Sequence, residues 1–345
     1  MEPIIYMLPR IEKNIEINLA DINFDHNPNP KLIKFGFNDL NEQFNTSALY
    51  SNPHYKNGLD FDFSRIDQNS LKVIGAKTFK IKNFDSNFAE LWEVLNLFRL
   101  LDSDQKIYTS REEAITEIIS SYQKLSGSKN KYSLIDRKKK EKATLVIYRY
   151  SDIDIDENAA VQLIVNDLNS LLIVQEKNSN MIIQLFGLQT QISLEIIFFL
   201  SSLYNDAYLL KPTISSDLSD GKYLVLIGLK TIPDIKFPKI PDNTYLSSIG
   251  LKNIPNNFVG VIQCINSDTL PRKYKRFFII KTYLDGKVYE GTTYQELIDN
   301  QNANSKKWLD TFSDLTKMKK LLDNSLKKSE SKCNNHEKLT SIFSQ

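Results

Sequence analysis

Hydrophobic and polar positions alternate along this chain with two different periods, and the places where the period switches outline its elements. MIIQLFG (181–187) is a continuous apolar run short enough for a buried strand. TQISLEIIFFLSSLY (190–204) has the length and apolar recurrence of a helix, while AYLLKP (207–212) and KYLVLIGLK (222–230) return to strand character. Upstream, ATLVIYRY (143–150) predicts a strand from its β-branched and aromatic content, and DENAAVQLIVNDLNSLLIVQ (156–175) predicts a long helix lying on a sheet.

Two helices precede that block. In SNFAELWEVLNLFRLL (86–101), Phe88, Leu91, Trp92, Leu95 and Phe98 recur at three- and four-residue spacing behind an Asp85 or Ser86 cap. The next helix is expected to begin at Ser110, with Glu113 completing a capping box and Ile115, Ile118 and Ile119 supplying its buried face. The charged segment GSKNKYSLIDRKKKEK (127–142) reads as a loop. Residues 1–78 show no long helical period and are punctuated by NPNP (27–30) and SNPHYKNG (51–58), which predicts loops and short strands.

Beyond residue 230 the chain is punctuated by proline, then carries an apolar segment at Phe277–Tyr283. One helix is expected over KKWLDTFSDLTKMKKLLDNSL (306–326), its buried stripe formed by Trp308, Phe312, Leu315 and Leu322, its exposed face a candidate docking surface. The polar KKSESKCNNHEK (327–338) suggests a mobile tail.

Strands alternating with helices of this length imply an α/β, Rossmann-like core, a mostly parallel sheet whose last strand pair forms an antiparallel edge. The corresponding divisions are an N-terminal extension over 1–78, the core over 79–232, a C-terminal segment over 233–325 and the tail over 326–345.

Composition narrows the function classes. A net charge of +2 is too small to announce a nucleic-acid-binding domain, and the basic runs at 137–142 and 272–276 read first as solvated surface. Cys264 and Cys333 stand alone, so neither a disulfide framework nor a zinc site is expected and the compartment is reducing. No apolar run approaches a membrane span, and no signal peptide is expected, since Glu2 and Arg10 interrupt any apolar region at the start.

The familiar catalytic sets are missing. His26 and His54 lie in Asn/Pro-rich loops and His336 in the tail, with no HExxH spacing. There is no GxSxG elbow, GxxxxGK[ST] loop or GxGxxG turn. The carboxylates Asp152, Asp154, Asp156 and Glu157 lack the glycine turn of a calcium loop and read as a polar loop that ends in a helix cap. The connection DSDQKIYTSREEA (102–114), where a doubly wound fold would carry its ligand loop, contains no glycine.

NFAELWEVLNLFRLL followed by NMIIQLFGL, LSSLYNDAYLLKPTISS and KYLVLIG resembles the FtsJ-type cap ribose 2′-O-methyltransferases of large cytoplasmic DNA viruses over residues 84–230. In that family a strand ending in a catalytic lysine leads through a helix and a second strand to Lys-Pro, matched by Lys211 and Pro212, then to a Ser-rich turn. A Lys-Asp-Lys-Glu tetrad lowers the effective pKa of the ribose hydroxyl. The resemblance places Glu90, Arg149, Gln184 and Gly221 at those four positions, and Ser216 at the arginine of the turn. Each substitution removes the family's chemistry, so the implied protein is a pseudoenzyme without catalytic, cofactor or metal sites.

The chain is also similar in kind to the small regulatory subunits of poxvirus mRNA-capping enzymes, degenerate members of the same fold. The segment YMLPRIEKNIEINLADI (6–22) and the chain leading to LWEVL contribute to this likeness. What it implies is a non-catalytic subunit that pairs with the large catalytic capping subunit and stimulates its guanine-N7-methyltransferase, in the cytoplasm, in a virus factory or in a virion. RNA contact, through Lys138–Lys140 or Arg272–Arg276 beside Tyr274 and Phe277, would be accessory. An active 2′-O-methyltransferase and a structural subunit of a transcription complex are the competing expectations.

Overall fold

The β-branched and aliphatic runs of ATLVIY, MIIQLF, AYLL and KYLVLI become the inner strands of one sheet, where both faces of a strand are covered. The computed structural model describes residues 2–12, 15, 17–26, 51–55, 66–82, 84–110, 112–135, 141–150, 157–233, 236–286 and 291–343. The predicted NPNP segment, most of the 137–142 run, and Asp152, Asp154 and Asp156 lie outside these residues, as do the side chains of Glu113 and His336.

In chain order the strands are β1 (Ile4–Met7), β2 (Asn23–Asp25), β3 (Gln105–Thr109), β4 (Tyr132–Leu134), β5 (Ala143–Tyr148), β6 (Gln175–Phe186), β7 (Tyr204–Lys211), β8 (Gly221–Leu229) and β9 (Tyr245–Ser248). The helices are α1 (Gln68–Phe79), α2 (Ser86–Leu97), α3 (Glu112–Ser126), α4 (Glu157–Ile173), α5 (Gln191–Ser202), α6 (Asn256–Gly286), α7 (Thr292–Phe312) and α8 (Leu315–Phe343). Seven strands form the main sheet in the order β1-β7-β8-β6-β5-β3-β4, and β2 pairs with β9 apart from it.

The pairs β4–β3, β3–β5 and β5–β6 are parallel, whereas β8 runs antiparallel to both neighbours, β6 and β7. β3 to β7 therefore all point one way. The β7–β8 pair is antiparallel as expected, but it does not form the edge. That place belongs to β1, antiparallel to β7, with Ile4 opposite Lys211. An exposed edge invites unwanted pairing, and here Ser329 of α8 donates its hydroxyl to the Ile5 carbonyl.

Alternation along the strands sends side chains to two cores. Leu145 and Ile147 of β5, Ile182 of β6, and Tyr223 and Val225 of β8 meet α1, α2, α3, α7 and α8 on one face. Val146, Ile183 and Leu224 meet α4, α5 and the first half of α6 on the other. The first core contains an aromatic cluster in which Phe79, Phe84, Phe88 and Trp92 pack on one another and Phe79 and Phe84 also meet Trp308, which stacks on Phe312 at 5.2 Å. That cluster fastens the C-terminal helices onto α2.

Several expectations are corrected. Residues 1–78 are not loops and short strands alone, because α1 forms at 68–79 and β1 joins the core sheet. Its glycine, Gly75, lies against the Phe84 ring so closely that a Cβ would sit 2.8 Å from it. Gln105–Thr109, read as part of a connection, is β3, and Tyr132–Leu134 adds a short strand inside the charged loop.

Phe277–Tyr283 belongs to the helix α6. The single helix expected over 306–326 is two, parted at Ser313 and Asp314, where Asp314 accepts from the Thr316 amide and hydroxyl. The tail is helical through Phe343, anchored by Ser329 and by Lys332 on Asp268. Polar composition concealed it because only every third or fourth residue of α8 faces inward.

Candidate functional site

The site the resemblance singles out lies at the carboxyl ends of β5 and β6, on the face covered by α2. Asp85 caps α2 by accepting from the Phe88 amide at 2.7 Å, as expected, which fixes the helix start and places Asn87 and Glu90 over the strand ends. Arg149 follows β5 directly. Gln184 lies in β6 opposite Tyr223 of β8.

Three of the four predicted positions come together. Arg149 places Nη2 3.7 Å from Glu90 Oε2. Its guanidinium also donates to the Asn87 carbonyl at 3.1 Å and to Asn87 Oδ1 at 3.0 Å. Glu90 accepts from the Tyr223 hydroxyl at 2.8 Å and from the Ser215 hydroxyl at 2.7 Å. The Arg149 guanidinium carbon lies 5.7 Å from the centre of the Tyr223 ring, within cation–π range. Gln184 completes the group through its side-chain oxygen, which accepts from the Tyr150 amide at 3.3 Å.

Gly221 does not join them. It opens β8 opposite Phe186, and a Cβ there would meet only Ser219 Oγ, at 3.1 Å. Two residues further along the same face, Tyr223 occupies the fourth corner. Ser216 stays within its own turn, accepting from the Leu218 amide, and its neighbour Ser215 reaches the cluster instead. Tyr223 and Ser215 were missed. The period-two alternation from Gly221 pointed to Tyr223; nothing in a run of serines distinguished Ser215.

Chemically the cluster is occupied by its own partners. The Arg149 side chain is 4% exposed and that of Glu90 20%. Burial, with Arg149 opposing it and Glu90 adding to it, pushes the Tyr223 phenol far above its ordinary range. A base must be within reach of a substrate proton with a pKa near the working pH. Here the carboxylate is engaged by three groups, the arginine is a permanent cation, and an amide cannot accept a proton.

The ends of the paired strands β3 and β5 are tied together beside this cluster. Ser110 donates its hydroxyl to the Arg149 carbonyl at 2.8 Å and accepts from the Arg149 amide at 2.9 Å. That hydroxyl is thus engaged away from the expected capping of α3, which starts at Glu112.

Below the cluster, Glu93 is completely buried. It accepts from the amides of Thr213 and Ile214 at 2.7 and 2.9 Å and from the Trp308 indole at 2.6 Å. Burial pushes its carboxyl up to about 7 against the opposing pull of those three donors. Nothing in the helical pattern singled Glu93 out, since it adjoins the buried stripe without being apolar.

On the other side Lys211 is buried, donating to the Ser219 carbonyl at 2.5 Å, and burial together with the nearby Lys222 brings it down to about 7. Lys222 is depressed by burial as well.

Three of the four cations in the basic run at 272–276 pair within the protein, while Lys275 is exposed. Lys273 pairs with Asp220, Arg276 Nε lies 3.3 Å from Asp217, and Arg272 lies 3.5 Å from Asp268. Phe277 is buried and Tyr274 half-buried. His26 and His54 are in turns outside this site. Glu157 is no cation ligand in this arrangement, since it accepts from the amides of Gln189 and Thr190 and from the Thr190 hydroxyl at the start of α5. Among the described residues no group of three or more His, Cys, Asp or Glu could hold a metal ion, and no helix is long and apolar enough to cross a membrane.

No known family model matches the chain. Uncharacterized protein R383 of Acanthamoeba polyphaga mimivirus is 47% identical to it over 349 residues, spanning the whole of both chains.

Proposed function

As this chain belongs to the family of the mimivirus protein R383, we propose that it is a non-catalytic regulatory subunit of a viral-type mRNA-capping enzyme. In this reading it binds the large catalytic subunit as a heterodimer and stimulates that subunit's guanine-N7-methyltransferase. It works where capping takes place, in a cytoplasmic virus factory or a virion. The core is a methyltransferase-like scaffold that has lost its reaction.

The observation that carries the reading is the Glu90–Arg149 pair. Glu90 and Arg149 pair at the strand ends where the resemblance expects a catalytic set, with Gln184 on the adjoining Tyr150 amide, yet Glu90 is engaged by the Ser215 and Tyr223 hydroxyls and Arg149 by Asn87 rather than poised as a base. The order of elements supports it too. β6 with Gln184, then α5, then β7 ending in Lys211, then the Ser-rich turn and β8 follow the succession that the resemblance implies. A retained scaffold without its chemistry serves binding, and function has to be argued from the site rather than the fold.

The effect on the partner is one of differential affinity: the subunit favours the partner's substrate-competent conformation and can shift it only by that difference. Typical coupling of about 1–3 kcal/mol corresponds to roughly 5- to 150-fold. Co-expression with the catalytic capping subunit should yield a one-to-one complex, and calorimetry of the isolated chain with S-adenosylmethionine should show no heat of binding. A stoichiometric micromolar donor complex would instead assign the chain to the active 2′-O-methyltransferases.

A further inference from the structure

α6 is one helix by backbone but two by packing, and the division falls at Pro271. Its first half buries Phe258, Ile262, Cys264 and Ile265 in the core beneath α5. Its second half buries Phe277, Ile280 and Leu284 in a separate cluster whose other members among the described residues are Tyr55 and Leu218. Proline has no amide hydrogen to give the Ser267 carbonyl, and its ring crowds that turn, so the helix is weakest where its two packing environments meet. One turn earlier the Thr269 hydroxyl competes for the Ile265 carbonyl at 2.9 Å.

Besides that cluster, two ion pairs hold the distal half to the molecule. Lys273 pairs with Asp220 and Arg276 with Asp217, both acids lying in the turn between β7 and β8. Burial alone would raise the Asp220 carboxyl, but Lys273 and Lys222 hold it below its ordinary range. The same turn carries Ser215 to Glu90 and the amides of Thr213 and Ile214 to Glu93. On the outside of the strap Phe278 is 62% exposed.

We propose that residues 272–286 form a strap hinged at Pro271 that opens from and closes onto the 213–220 turn, linking the outer surface of α6 to the Glu90–Arg149 centre. Such a device requires a separately packed segment, a weak point in its backbone and contacts that can be given up to water, and the small cluster, the proline and the two partly exposed ion pairs supply these. Partly exposed ion pairs weaken with ionic strength while the apolar packing of the first half does not.

Hydrogen exchange on the full chain tests it. Amides of 274–286 should exchange at least tenfold faster than those of 260–270. Raising salt, or the double substitution Asp217→Asn with Asp220→Asn, should speed the distal set several-fold further and leave the proximal set unchanged. Pro271→Ala, which restores the missing helix bond, should slow the distal set. Equal protection across 260–286, or a double variant that moves both halves together, would show α6 to be a single rigid element and overturn the proposal. A Pro271→Ala variant with unchanged distal exchange would remove the hinge from it.

Discussion

Arg149 lies with its Nη2 3.7 Å from Glu90 Oε2, so that one ion pair ties the end of β5 to α2. The pair is asymmetric. Glu90 retains the Ser215 and Tyr223 hydroxyls if Arg149 is removed, whereas a buried Arg149 deprived of Glu90 loses its counter-charge and keeps the neutral Asn87 and the Tyr223 ring. Removing one partner of a buried pair costs about 3–5 kcal/mol when the other is left uncompensated. Glu90→Leu should therefore fall in that range and Arg149→Met near 1–3 kcal/mol, the scale of an ordinary unsatisfied group. In urea unfolding the double variant should be less destabilised than the sum of the two.

Trp308 should be the anchor of the C-terminal helices. Its ring sits in the Phe79–Phe84–Phe312 stack and its indole donates to Glu93. Trp308→Ala should cost about 3–5 kcal/mol. Trp308→Phe should recover most of the packing and leave Glu93 one donor short. Limited proteolysis of Trp308→Ala should release α7 and α8 before the sheet is cut.

Stability should have opposite pH slopes on either side of neutrality. Glu93 titrates higher in the folded chain, near 7, than its ordinary 4.5, so the native state holds the extra proton and stability falls as pH rises between those values. Lys211 titrates lower when folded, near 7 against 10.5, so above 7 the unfolded state holds the extra proton and stability rises with pH. Lys222, also depressed, acts in the same direction. Unfolding followed from pH 5 to 9 should show the acid limb flattened in Glu93→Gln and the alkaline limb reduced in Lys211→Met. Unchanged slopes in these variants would contradict the burial of those charges.

Gly187 should not tolerate a side chain. It follows β6 with φ +104°, a region glycine enters freely, and a Cβ there would lie 2.3 Å from Glu157 Oε2. Gly187→Ala should combine backbone strain with displacement of the carboxylate that holds the start of α5, at a cost of about 1–3 kcal/mol. Thermal unfolding measures it.

What could be read from the sequence was what short-range physics dictates. The Asp85 cap, the α2 stripe and β5 to β8 follow from periodicity and capping alone. β3 was hidden because its five residues alternate too briefly to stand out between two helices, and residues 176–179 escaped because Asn178, at φ +64°, lifts them out of the β5 ladder. Of α6 only the apolar Phe277–Tyr283 segment stood out, because the helix has no single apolar stripe and its packing changes on either side of Pro271. Within the site Glu90, Arg149 and Gln184 were legible by position, but their pairing was not. Ser215, Tyr223 and Glu93 enter through contacts between residues more than a hundred positions apart, which no local pattern encodes.

The most direct measurement of the central claim is guanine-N7 methylation by the catalytic capping subunit, assayed with and without this chain and with its Gln184→Ala variant. The account predicts stimulation within roughly 5- to 150-fold by both forms, with no methyl transfer to cap ribose by the chain alone. Methylation of ribose by the isolated chain, or stimulation that vanishes in a folded, partner-bound Gln184→Ala variant, would contradict it.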